Sequence, residues 1–113
     1  LQLTLVRGNH DAHAGDPPAD WQVRALDGPL HCGPWALLHE PAVVPGTYGL
    51  AGHVHPGVVL GGRANDRLRL PCFRFGAGSG LLPAFGEFTG LHVSERQADE
   101  RVYAVAGQRV FAV

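Results

Sequence analysis

Sixteen glycines and nine prolines are spread along 113 residues, and they leave no long uninterrupted stretch for an extended helix. Glycine supplies left-handed backbone and proline removes an amide donor, so both residues punctuate chains at turns. A chain built this way is expected to consist of short strands joined by tight turns and loops. With 45% hydrophobic residues it is not a disordered polymer, and its length suits one domain with one modest core. Residues 1–6 read as a buried strand, and residues 21–26, 35–39, 47–51 and 58–60 as further short strands. Residues 67–75 alternate Arg67, Leu68, Arg69, Leu70 in their first half, a period of two that predicts a half-exposed strand. Residues 102–106 and 109–113 flank Gly107-Gln108, the signature of a hairpin. Residues 14–20 form a loop, and the apolar run 81–88 is interrupted by Pro83 and Gly86. No internal repeat, low-complexity tract or amphipathic helix stands out.

The formal net charge is -1 and the pI about 6.7, which excludes a generally polybasic nucleic-acid binder. All nine basic residues are arginines. Cys32 and Cys72 stand alone without a Cys-x-x-Cys pair, a usage that suits buried thiols better than a disulfide framework. No apolar run approaches the roughly 20 residues needed to span a bilayer, so no membrane association is expected. No secretory signal is visible, and the default expectation is the cytoplasm. The chain opens on Leu1 and contains no Met, which leads us to expect further residues upstream of it.

Two short motifs carry chemistry: Gly8-Asn9-His10-Asp11, after the first strand, and Gly52-His53-Val54-His55 in mid-chain. Between them His39 ends an apolar run. Asn9 offers a neutral carbonyl oxygen, and His39, His53 and His55 offer imidazole nitrogens. That mixed donor set suits Mn, Zn or Fe better than Ca or Mg. His10 can donate a proton near neutral pH, with Asp11 fixing its tautomer. Gly8 permits close backbone approach. His53 and His55 would point to opposite faces of a flat strand, but Gly52 and Pro56 argue for a bend that lets them converge. Each signal has a plainer reading. Asn-His-Asp also caps helices, a His-x-His pair is more often structural, and a single histidine such as His39 more often sits satisfied in a core or loop. What sets these residues apart is their combination, in this order, each after an apolar strand.

That combination resembles the metallophosphoesterases, the calcineurin-like family of dinuclear metal hydrolases. A narrower resemblance, to the bacterial DNA ligase-associated metallophosphoesterases, rests on Leu38-His39-Glu40-Pro41, on the run Arg67-Leu68-Arg69-Leu70-Pro71-Cys72-Phe73, and on the segment 82–90. Leu91 departs from that pattern, where glycine is expected. The resemblance implies an α/β fold, an αββα sandwich in the intact protein, with these residues mostly β strands and long loops. It implies that residues 1–113 are the C-terminal half of a single domain. It also implies hydrolysis of phosphoester bonds, phosphodiesters and nucleic acid included, by a bridging hydroxide held between two divalent metal ions, with Mn preferred over Zn or Fe. Asn9, His39 and His53 become ligands of one metal and His55 a ligand of the other. His10 becomes the acid, supported by Asp11. The Asp-x-His and Gly-Asp motifs that complete the family's site have no counterpart here, and Asp16, Asp20 and Glu40 lack the required spacing, so the chain alone is expected to be inactive. DNA and DNA-repair proteins are the implied partners.

His13 and Arg63 are candidate substrate-binding residues, and Arg67 and Arg69 could also grip phosphate, although a solvated strand face and an ordinary loop histidine are the plainer readings. The exposed edge of an incomplete sheet would favour a dimer or pairing with the missing N-terminal half. Two other classes compete. One is a non-catalytic scaffold that retains the metallophosphoesterase fold. The other is a cupin-like single-metal oxygenase, which the lack of a carboxylate after His55 disfavours.

Overall fold

The computed structural model describes residues 1–86 and 89–113. Glu87 and Phe88, part of the 82–90 resemblance and of the apolar run 81–88, lie outside the described residues. The expected α/β sandwich is not what forms. Strands hold 44% of the described residues and helices 9%, and one α-helix of four residues, Asp11–Ala14, is accompanied by two short 3-10 turns at Ala19–Trp21 and Arg63–Asn65. The physical reason lies in the punctuation. Glycine or proline recurs too often for the residues between to nucleate and propagate a helix.

Among the described residues there are eleven strands. β1 (Leu3–Val6) and β2 (Val23–Leu26) pair in parallel as a two-stranded sheet. The others are β3 (Leu30–Cys32), β4 (Trp35–Leu38), β5 (Tyr48–Ala51), β6 (Pro56–Gly61), β7 (Arg67–Phe75), β8 (Ser79–Leu81), β9 (His92–Val93), β10 (Arg101–Ala106) and β11 (Arg109–Ala112). They form a nine-stranded sheet in the order β11-β10-β7-β8-β5-β4-β3, with β6 joined to β7 and β9 to β6. β7 is the long organising strand. Its first half pairs with β6, from Gly57↔Pro71 to Gly61↔Arg67, and its second half pairs with β10 and β8. Gly107-Gln108 turns β10 into β11, the hairpin that the sequence predicts.

Alternation sets the core. Ala36, Ala51, Cys72, Val102 and Ala104 are all at most 4% exposed, and Arg74 at 5% joins them. The neighbouring positions Trp35, Tyr48, Leu50, Phe75 and Tyr103 line a groove of about 640 Å³ on a more open side of the sheet. Trp35 and Tyr48 meet edge to face, with centroids 5.9 Å apart, a favoured geometry for two aromatic quadrupoles. Cys72 is buried and Cys32 exposed, and both are free thiols. Among the described residues no helix is long and apolar enough to cross a membrane.

Parallel pairing is what positions the site. β4 and β5 run side by side with Leu38 opposite Ala51, so both carboxyl ends open on the same edge. His39 follows one strand and Gly52-His53 the other. The β1–β2 sheet reaches the same edge: a Cβ on Gly28, just past β2, would lie 3.1 Å from Val6 and 3.3 Å from the Leu37 carbonyl. Ligand-holding loops at the carboxyl ends of parallel strands are the general arrangement in open sheets.

Candidate metal centre

Three of the candidate ligands come together. His39 Nε2 lies 2.8 Å from Asn9 Oδ1 and 2.9 Å from His53 Nδ1. The two imidazole rings meet at 65° with centroids 4.7 Å apart. Asn9 and His53 are exposed and His39 is half-buried, so solvent ions can reach them.

Proton bookkeeping shows what such a cluster wants. A neutral imidazole nitrogen either donates one proton or accepts in its ring plane, never both. If His39 Nε2 carries the proton, it satisfies either Asn9 or His53, and the other contact sets lone pair against lone pair or wastes a donor. If it carries none, His53 can donate to its single lone pair, and the Asn9 oxygen is left facing that nitrogen with no proton between them. Turning the Asn9 amide only crowds two donors on one lone pair. A cation bound to all three resolves the conflict. Metal–nitrogen and metal–oxygen bonds of about 2.0–2.2 Å place adjacent octahedral ligands about 3 Å apart, close to the separations found. The three residues therefore fit a divalent metal ion. They do so as a partial set: among the described residues no group of three or more His, Cys, Asp or Glu could hold a metal, and this cluster consists of two imidazoles and a carboxamide.

The backbone around the cluster is specialised. A Cβ on Gly8 would lie 2.5–2.7 Å from three atoms of the His39 ring, closer than packed atoms approach, so only glycine lets His39 sit there. His53 and His55 both occupy the left-handed region, with φ of 64° and 53°. The Val54 amide donates to the Gly52 carbonyl at 2.7 Å. This is the bend that Gly52 and Pro56 suggest. Left-handed backbone costs a non-glycine residue roughly 1 kcal/mol, and His53 and His55 both carry that cost on either side of Val54.

The remaining candidates are placed as follows. His55 makes no side-chain hydrogen bond among the described residues. Its carbonyl accepts from the His92 amide at 2.9 Å, which ties β9 to the same edge. His10 is exposed at the start of the helix Asp11–Ala14 and its side chain makes no cap. Asp11 Oδ2 accepts from the Gly8 amide at 2.7 Å. That bond holds the turn carrying Asn9, and no hydrogen bond joins Asp11 to the His10 ring. His13 is exposed in the last turn of the same helix. Arg63 is at the far end of the β6–β7 hairpin, away from the cluster.

Asp16 belongs to Arg7. The guanidinium grips it in a fork, Nε to Oδ1 and a terminal nitrogen to Oδ2, both at 2.8 Å, and reaches Asp27 at 3.4 Å. The hydrogen bond to Arg7 holds the Asp16 carboxyl below its ordinary value and raises Arg7 in return. The pair links the end of β1 to the loop after the helix and so braces the Asn9 turn.

A second polar cluster has no counterpart in the sequence reading. Buried Arg74 donates to the Ser94 carbonyl and hydroxyl, to the Glu95 carbonyl at 2.8 Å and to Glu100 Oε2. Burial alone would push the Glu100 carboxyl up. Hydrogen bonds from Arg74 and the Gln97 amide, with the charges of Arg74 and Arg96, outweigh burial and leave it lowered. The sequence does hold a signal for this clamp, because Arg74 falls in the same alternation as Cys72 between Phe73 and Phe75, a register that demands a buried partner.

An all-β chain with an imidazole–carboxamide cluster at converging strand ends defines a class by its fold and site. The chain is 45% identical to Pseudomonas putida nuclease MPE and matches its crystal structure with a TM-score of 0.85. The match covers 100% of this chain and 54% of that one, so the chain spans about half the length of the nuclease. No protein-family model and no curated protein matches it.

Proposed function

We propose that this chain contributes to a metal-dependent phosphoesterase that hydrolyses phosphodiester bonds, with nucleic acid as the substrate class. The observation that carries this reading is His39 Nε2 set 2.8 Å from Asn9 Oδ1 and 2.9 Å from His53 Nδ1, a donor set that fits a cation. The likeness to a nuclease over the whole chain supports the choice of substrate. Asn9, His39 and His53 would hold one divalent ion. His55 would serve a second, its remaining ligands lying outside these 113 residues, and manganese suits the mixed donors best, ahead of zinc and iron. When bound, such ions lower the pKa of water and neutralise charge on a phosphoryl group.

The chain's own residues do the rest. Gly8 leaves room for His39 to face Asn9. Asp11, through the Gly8 amide, fixes the turn that presents Asn9 and His10. His10, exposed beside that turn, protonates the departing oxygen of the substrate at its ring nitrogen. The test is hydrolysis of bis(4-nitrophenyl) phosphate and of a labelled oligonucleotide in manganese buffer by the complete enzyme to which this chain contributes, as wild type and as His10→Ala. We expect His10→Ala to retain manganese and to lose about 10²-fold or more in turnover on the oligonucleotide, in the range typical of general acids. Loss of metal in that variant, or unchanged turnover, would remove His10 from this role.

A further inference from the structure

The β6–β7 hairpin leaves the candidate metal centre and runs outward. β6 begins at Pro56, immediately after His55, and pairs with β7 as far as Gly61↔Arg67. Every residue from 61 to 69 is exposed, so the outer half of the hairpin projects from the body as an arm. The arm carries Arg63, Arg67 and Arg69, with Asp66 as its only carboxylate. Arg67 and Arg69 are two residues apart in a strand and share a face. Arg69 pairs with Val59 and Arg67 with Gly61, so they stand roughly 13 Å and 20 Å of strand beyond His55 at 3.3 Å per residue. Arg69 spends one donor on the Leu91 carbonyl at 3.1 Å. Arg63 and Arg67 make no ion pair among the described residues.

The arm is stiff as well as charged. The Asp66 amide donates to the Arg63 carbonyl at 3.1 Å, and the central residues Ala64 and Asn65 both have positive φ. That is the turn whose twist matches a two-stranded ribbon. It holds Arg63 and Arg67 at a fixed tip although Ala64 must adopt left-handed backbone to do so. A protruding ribbon without apolar cover contributes little to the core, and the net charge of the whole chain is -1, so this local excess of cations is not a general property of the surface.

We propose that the β6–β7 arm is a phosphate-gripping rail that engages the backbone of a nucleic-acid strand at a distance from the bond being cut. The inference rests on the nucleic-acid reading of the metal centre and deepens it. Arginine forks suit phosphate oxygens, and such contacts fix register without reading sequence.

The test is binding of a fluorescein-labelled oligonucleotide by fluorescence anisotropy in EDTA, so that neither metal nor cleavage intervenes, between about 50 and 200 mM salt. Each phosphate contact contributes about 0.7–0.9 to the slope of log affinity against log salt. The expected result for Arg63→Gln/Arg67→Gln is a slope smaller by about 1.4–1.8, while Arg24→Gln/Arg109→Gln, exposed positions on β2 and β11, keeps the wild-type slope. An unchanged slope in the hairpin variant, or no salt-dependent binding by wild type, overturns the rail. A failure of the metal centre is read separately, because manganese binding by Arg63→Gln/Arg67→Gln should equal that of wild type.

Discussion

Arg74 presents only donors, and acceptors meet them: two carbonyls, a hydroxyl and a carboxylate around one buried guanidinium, with Nε as its one buried atom left without a partner. The Asn9–His39–His53 cluster is built the opposite way. Its two contacts both converge on His39 Nε2, from Asn9 Oδ1 at 2.8 Å and from His53 Nδ1 at 2.9 Å. The first cluster meets four of its guanidinium contacts from within the chain and straps residues 94–100 across the sheet. The second is exposed and fits a cation. Arg74 also sits in regular strand backbone, whereas His53 and the nearby His55 sit in left-handed backbone. Polar clusters that stabilise a fold pair donors with acceptors. Clusters that serve function can leave a charge to be supplied from outside and hold backbone strain.

This contrast can be broken at several points. The largest effect is expected from Arg74→Met, which strands Glu100. Removing one partner of a buried ion pair costs about 3–5 kcal/mol, to be read by urea denaturation, and Arg74→Met/Glu100→Leu should recover much of it while manganese binding stays unchanged. Next comes Gly8→Ala, which displaces the His39 ring. Disturbing the support of a metal ligand typically costs 10–100-fold in affinity, so manganese should bind that much more weakly with unfolding free energy nearly unchanged. Equal affinities would mean that Gly8 does not gate His39.

A gain of stability is expected from His55→Gly in metal-free protein. Relief of left-handed strain should add about 1 kcal/mol. Ala64→Gly should add a similar amount at the arm's turn. If both gains appear, only His55→Gly should alter metal binding. The mildest effect follows pH. The Glu100 carboxyl is lowered in the folded state, so its contribution is fully present above the ordinary carboxylate value of 4.5 and is lost as pH falls through its folded value. Stability of wild type should therefore decline on acidification below that value, and Arg74→Met/Glu100→Leu should decline less.

Parts of this molecule were legible in its sequence for physical reasons. β7 was visible because alternation runs along it, and the β10–β11 hairpin because Gly107-Gln108 interrupts two apolar runs. Asn9, His39 and His53 were visible because each follows an apolar strand; parallel pairing of β4 with β5 sets His39 beside His53, and the turn after β1 brings Asn9 to them. β3, β8 and β9 are only two or three residues long. No period can be read from so few positions, and only their pairing partners make them strands. The α/β class came from a family resemblance rather than from the residues, and the residues followed their own glycines and prolines instead. Asp11 was expected against His10 but turns back to the Gly8 amide, a local choice that depends on the turn's geometry. Glu100 gave no local signal, since its partner lies 26 residues away.

The most direct test of the account is calorimetric titration of manganese into the wild-type chain, His53→Ala and Arg74→Met/Glu100→Leu. The account predicts saturable binding in wild type that weakens at least tenfold in His53→Ala, about 1.4 kcal/mol or more, and persists in the clamp variant. Identical isotherms for wild type and His53→Ala would contradict it, because the cluster of Asn9, His39 and His53 would then hold no ion.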